Sequence, residues 1–137
     1  MITNSDLKLR DSADMFSILK AFPEQIAEAC NIGSKIEASI DPAAIRNIII
    51  TGLGGSAIGG DLLRSYIQNE IEVPVAVNRN YFLPAYAGKE TLVIVSSYSG
   101  ETEETLSAYN DAKSKGCKIV CVSSGGKLTV IAENDGN

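Results

Sequence analysis

Twice in this chain a β-branched apolar run stops abruptly at a loop of glycines and hydroxyls, then gives way to helical spacing. The first junction reads Ile48-Ile49-Ile50-Thr51-Gly52-Leu53-Gly54-Gly55-Ser56-Ala57-Ile58-Gly59-Gly60-Asp61. The second reads Thr91-Leu92-Val93-Ile94-Val95-Ser96-Ser97-Tyr98-Ser99-Gly100-Glu101-Thr102. Uninterrupted apolar runs suit parallel strands buried on both faces, and parallel strands need a crossover between them. Such a sheet gathers its loops along one edge, at the carboxyl ends of the strands. Backbone N–H groups and helix N-termini on that edge favour an anion. Ser56, Ser97, Ser99 and Thr102 could converge there as hydroxyl donors, so a phosphate-bearing ligand leads the functional reading.

Four apolar runs predict strands: Asn47–Thr51, Val73–Asn78, Thr91–Ser96 and Lys118–Ser123. The intervening Ser56–Asn69 carries Ile58, Leu62, Leu63, Tyr66 and Ile67 at helical spacing, and Thr102–Lys115 carries Thr105, Leu106 and Tyr109. The alternation predicts an α/β fold, a doubly wound parallel sheet covered on both faces. Asn80–Ala87 reads as a loop or short turn. Upstream, Asp11 or Ser12 would cap a helix reaching about Ala21, with a stripe of Met15, Phe16, Ile18, Leu19 and Phe22. Pro23 and Glu24 mark the start of a second helix. It would run to about Ser39 and turn Ile26, Ala29, Cys30, Ile32 and Ile36 towards a partner. Asp41-Pro42 breaks the pattern. Residues 1–40 thus read as N-terminal helices and 41–137 as the α/β core of one domain. At the far end, Ser123-Ser124-Gly125-Gly126-Lys127 opens a short helix through Glu133. Asn134–Asn137 then reads as a turn towards another strand, as though the chain were cut at a domain edge.

The 137 residues suit about one domain. A net charge of −5 argues against nucleic acid as a partner. It also means that an anion must be caught by local donors. No apolar run approaches the ~20 residues that span a bilayer, and Met1–Asp6 lacks the basic-then-apolar pattern of a secretory signal. The three cysteines, Cys30, Cys117 and Cys121, favour reduced thiols and the cytoplasm, with Cys117 and Cys121 as core filler around a strand. With no histidine and no four-cysteine set, a zinc site is not expected. Gly52-Leu53-Gly54-Gly55-Ser56-Ala57 satisfies the dinucleotide pattern G-x-G-x-x-G/A. That reading needs an acid at the end of the second strand. The strand ends at Val77-Asn78, and Glu72 lies before it, at the wrong end. No Gly-Lys-Ser/Thr follows Gly59-Gly60, so a P-loop is excluded, and no cofactor is expected.

Gly52–Asp61 and Ser97-Tyr98-Ser99-Gly100-Glu101-Thr102-Glu103-Glu104-Thr105 resemble the two phosphosugar loops of sugar isomerase (SIS) domains. The resemblance is nearest to the N-terminal domain of bifunctional phosphoglucose/phosphomannose isomerases. Phe22-Pro23-Glu24-Gln25, Val73-Pro74-Val75 and Asn80-Tyr81-Phe82-Leu83-Pro84 are similar to that family as well. The resemblance implies a flavodoxin-like sandwich with a sheet of about five strands. It implies that Gly55 and Ser56 lie near the sugar phosphate or the sugar, and that Ser97, Ser99 and Thr102 bind phosphate oxygens. Gly54, Tyr98 and Gly100 would support the loops. It also implies a homodimer.

Two departures stand out. These isomerases commonly carry Gly-Asn-Thr where this chain has Gly100-Glu101-Thr102, although Gly-Glu-Thr occurs in the sugar isomerase domain of glucosamine-6-phosphate synthase. Glu101 is expected to point away from the anion and to complement a helix dipole. Second, aldose–ketose isomerisation needs a base and a ring-opening acid–base group. The resemblance assigns these to a glutamate and a histidine in the second half of a longer enzyme. Glu103 and Glu104 read as exposed helix residues, so no catalytic residue is expected here. Two functions of different class follow. One is the phosphate-binding part of a two-domain isomerase acting on glucose 6-phosphate, mannose 6-phosphate and fructose 6-phosphate. The other is a regulatory domain that senses a sugar phosphate without chemistry.

Overall fold

The computed structural model describes residues 9–36 and 40–137. Two compact units meet in the chain at Ser39 and Ile40. In the first, α1 spans Met15–Lys20 and α2 spans Phe22–Gly33. The Asp11 carboxylate accepts the N–H groups of Met15 and Phe16 at 2.9 and 2.8 Å, so Asp11 rather than Ser12 serves the start of α1. Pro23 lies in the first turn of α2, where a missing N–H costs nothing. α2 stops at Gly33, short of the expected Ser39. Glycine loses the most backbone freedom in a helix, and the apolar spacing that continues to Ile36 does not compensate. Ser39 lies outside the described residues, as does the Met1–Asp6 segment read above for a targeting signal. Neither helix holds a buried residue, and Ile18, Phe22, Ile26 and Ile32 are all exposed.

The second unit opens with a short 3-10 turn, Pro42–Ala44, capped by the Asp41 carboxylate on the Ala43 N–H at 3.0 Å. Four strands follow: β1 (Asn47–Thr51), β2 (Val75–Asn78), β3 (Thr91–Ser97) and β4 (Lys118–Ser123). The helices between and after them are α3 (Gly54–Ile67), α4 (Glu103–Ser114) and α5 (Gly126–Asp135). All pairings are parallel, in the order β2-β1-β3-β4. The sheet holds four strands among the described residues, where the family resemblance implied about five. β2 starts at Val75 rather than Val73. Pro74 has no N–H to give a ladder, and only its carbonyl is used, by the Ile48 N–H at 2.9 Å.

The register puts Ile49, Val93, Val95 and Ile119 near or in one layer of core, with Ala108, Tyr109 and Ala112 of α4 and Leu128 of α5 against them. The alternate residue Ile50 faces the other way and meets α3, where a Cβ on Gly60 would lie 2.9 Å from Ile50 Cγ2. α3 therefore lies on the face opposite to α4 and α5, and the sheet is doubly wound. The segment between β2 and β3 is pinned onto α4. Asp111 accepts the Leu83 N–H at 2.8 Å, and Lys115 Nζ reaches Asp111 at 2.6 Å and the Leu83 carbonyl at 3.1 Å. Burial opposes ionisation of Asp111, but the Lys115 ammonium and the Leu83 N–H hold its carboxyl below the usual range. Among the described residues, no helix is long and apolar enough to cross a membrane.

Candidate functional site

β1 and β3 are neighbours in register, Thr51 opposite Val95, so the two glycine-rich junctions leave the sheet side by side on the same edge. Gly52 fills the gap between them. A Cβ there would stand 2.7 Å from the Ser96 carbonyl oxygen and 3.2 Å from Ser56 Cβ, so only glycine lets the strands exit this closely. The polar interior collects beneath this edge. Thr51, Asn78 and Ser97, the last residues of three adjacent strands, are buried, as is Thr105 one turn into α4. The Asn78 amide donates to Thr51 Oγ1 at 3.2 Å and to the Asn80 carbonyl at 3.0 Å.

Gly54, Gly55 and Ser56 form the first turn of α3, which begins two residues earlier than the helical spacing suggested. Gly54 and Gly55 are exposed, and Ser56 is half-buried. Leu53, at the N-cap, offers no side-chain hydrogen bond, so the first N–H groups of α3 stay free. In the second junction Ser97 and Thr102 come together, with Oγ and Oγ1 3.2 Å apart. Ser97 Oγ also accepts the Gly100 N–H at 3.1 Å. Ser99 is exposed, and its Oγ accepts the Glu101 N–H at 3.2 Å. Thr102 is the N-cap of α4 but makes no side-chain cap bond. The serines thus tie the loop to itself and leave the first turn of α4 unserved. That is not the behaviour of simple helix caps. Tyr98, at the tip, is 83% exposed.

Gly100 turns the loop with φ +66, and a side chain there would overlap the Gly125 carbonyl. Gly125 belongs to a third junction on the same edge, between β4 and α5, which the sequence read only as a helix start. Ser123 Oγ lies 2.7 Å from the Ser97 carbonyl, and the Ser124 N–H and hydroxyl both donate to the Tyr98 carbonyl. The repeated strand-then-Ser/Gly pattern was the available signal for this third loop. Glu101, just before α4, serves a different helix. Its carboxylate accepts the Lys127 N–H at 2.9 Å in the first turn of α5 and pairs with Lys127 Nζ at 3.0 Å. Those bonds hold its pKa below the usual value.

The β2–β3 segment also reaches this edge. The Glu103 carboxylate, and next that of Glu104, push the Tyr81 phenol up. Glu103 is exposed and Glu104 half-exposed. Arg79, just past β2, pairs with Asp61 on α3. At the other end of the thiol question, Cys117 and Cys121 are half-buried and free, and burial pushes the Cys121 thiol up to about 11. Cys30 is exposed.

The family model of the SIS domain matches residues 43–135. A bifunctional phosphoglucose/phosphomannose isomerase from Caldicellulosiruptor bescii is 55% identical over 122 residues, 89% of this chain and 36% of that protein. One from Aquifex aeolicus is 36% identical over 97 residues, 70% of this chain and 30% of that protein. The chain therefore spans about a third of the length of these curated relatives. Among solved structures, a tagatose-6-phosphate ketose/aldose isomerase from Escherichia coli superposes with a TM-score of 0.55 at 23% identity, over 64% of this chain and 26% of that one. That likeness is one of fold. The matched region contains the whole sheet and the loops of its carboxyl edge, and the chain belongs to the SIS domain family.

Proposed function

We propose that this edge binds the phosphate of a hexose phosphate, as the phosphate-binding part of an aldose–ketose isomerase that interconverts glucose 6-phosphate or mannose 6-phosphate with fructose 6-phosphate. One observation carries the reading. Two helix N-termini on adjacent parallel strands, neither capped by its own N-cap side chain, meet at one edge among Ser56, Ser97, Ser99 and Thr102. Their free N–H groups and partial positive ends suit a dianion. Gly55 gives open backbone at the approach, Gly54 starts the helix, and Tyr98 and Gly100 shape the second loop. No lysine or arginine lies in either loop, so recognition is by neutral donors.

Isomerisation moves a proton between C1 and C2 through an enediol, and needs a base and a ring-opening group. The chain has no histidine, Glu101 is paired with Lys127, and Glu103 and Glu104 lie in the first turn of α4, exposed and half-exposed. The catalytic groups are therefore assigned to sequence beyond this third of the relatives' length. The relatives' names favour this reading over a sugar-phosphate-sensing regulator. Free thiols, two of them raised by burial, accord with the cytoplasm. Ile58, Leu62 and Tyr66 form an exposed apolar stripe on α3 that accords with a homodimer.

Glucose 6-phosphate titrated into the wild-type chain and Ser99→Ala, followed by amide chemical shifts, tests the reading. Loss of one charge-assisted bond weakens binding by roughly tenfold or more. Equal affinity in the two proteins, or shifts clustered away from residues 52–56 and 97–102, would remove it. The purified 137-residue chain is expected to show no isomerase turnover above background.

A further inference from the structure

We propose that the β4–α5 turn positions the anion loop, with Ser123 as its central positioning residue. The ligand here is that of the phosphosugar reading above, whereas the positioning follows from contacts within the chain. The turn engages the loop almost entirely through the loop's acceptors. Ser123 Oγ stands 2.7 Å from the Ser97 carbonyl and 2.8 Å from the Gly125 carbonyl, one hydroxyl proton shared between two acceptors. The Ser124 N–H donates to the Tyr98 carbonyl at 3.2 Å, and the Leu128 N–H donates to the Gly100 carbonyl at 3.0 Å. The Glu101 carboxylate accepts the Lys127 N–H at 2.9 Å.

Apart from the Ser123–Gly125 bond, which lies within the turn, each of these bonds draws a partial or full negative charge of the loop towards α5. The Ser99 hydroxyl proton, and that of whichever of Ser97 and Thr102 does not donate to the other, stay unspent. A loop with three short side chains, an exposed tyrosine and a glycine has no packing of its own that would impose this polarity. Without the turn, its carbonyls are free to rotate towards an incoming dianion and repel it. Donors already aimed before the ligand arrives cost no reorganisation on binding. Gly100, with its positive φ, is the point where loop and turn touch most closely.

Three proteins test this: wild type, Ser123→Ala, which deletes the shared proton, and Ser123→Thr, which keeps it. In ligand-free protein, Ser123→Ala is expected to speed amide exchange at Gly100 and Leu128 by about fivefold or more, with Ile49 and Val93 unchanged. Affinity for glucose 6-phosphate is expected to fall about three- to tenfold, and Ser123→Thr to restore both. Unchanged exchange at Gly100 and Leu128 overturns the proposal. So does faster exchange at Ile49 and Val93 as well, which would make Ser123 a general stability residue. Unchanged affinity in Ser123→Ala beside a wild type that binds also overturns it. A wild type that binds neither glucose 6-phosphate nor inorganic phosphate at these loops fails the phosphosugar reading. The exchange result then decides the positioning alone.

Discussion

The two glycine-rich junctions look alike in sequence, sit on adjacent strands and point the same way, yet they are held by different physics. The β1–α3 junction is made of space. Gly55 has nothing within 4 Å of where a Cβ would stand, and Leu53 leaves α3 uncapped. The β3–α4 junction is made of bonds. Ser97, Ser99 and Gly100 are tied to one another and to the β4–α5 turn. An open wall lets backbone and ligand approach closely, while a fastened wall keeps hydroxyl donors aimed. A site for a charged group at this edge needs both, and two strands deliver them separately.

Gly100→Ala should break the fastened side most severely. It forces an unfavourable φ and drives a methyl into the Gly125 carbonyl. A loss of more than about 2 kcal/mol is expected, lowering the thermal midpoint on the order of 10 °C, measurable by calorimetry. A midpoint within a degree or two of wild type would mean that loop and turn move independently. Gly52→Ala comes next. Its methyl meets the Ser96 backbone at 2.7 Å, so the strand ends must part, at about 1–3 kcal/mol in chemical denaturation.

Gly55→Ala, three residues on, should do the opposite. In an open helical position it gains about 0.5–1 kcal/mol of stability, while its methyl obstructs the approach and weakens glucose 6-phosphate binding. Loss of stability there would show that the open wall is packed after all. The smallest effect is expected from pH. The Glu101 carboxyl lies below its ordinary value of 4.5 because of Lys127, so the folded state favours its charged form. The link to α5 is complete above that ordinary value and is lost as pH falls through the lowered one. Lys127 and Gly100 amide shifts followed from pH 6 downward should move only below the ordinary carboxylate range. Movement centred above it would contradict the pairing.

Much of this architecture was legible because the relevant forces are local. Apolar, β-branched runs located all four strands; Pro74, which has no N–H, moved the start of β2, and β3 runs one residue past the expected Ser96. Asp11 and Pro23 announced helix starts through their own chemistry. The end of α2 was misjudged because apolar spacing to Ile36 outlasted the glycine that stops the helix. Within the site, the exit of the two junctions on one edge followed from strand alternation, whereas the adjacency of β1 and β3 did not. The third junction repeats the strand-then-Ser/Gly pattern, but its contact with the second loop did not follow from it, since Ser123 meets the Ser97 carbonyl only after β3 and β4 pair. The partner of Glu101 was hidden for the same reason. Acid in a first turn suggests its own helix, whereas Lys127 belongs to another.

The strand order has a kinetic consequence. β1 with β2, and β3 with β4, join segments fewer than 30 positions apart, whereas β1 with β3 brings Asn47 to Thr91. That central pairing closes the longest stretch of chain and so pays the largest loop-closure entropy. The edge between Gly52 and Ser97 comes into being only when this most distant pairing is made. A ligand held there would bind no half-folded intermediate, and its grip would report on the folding of the whole sheet.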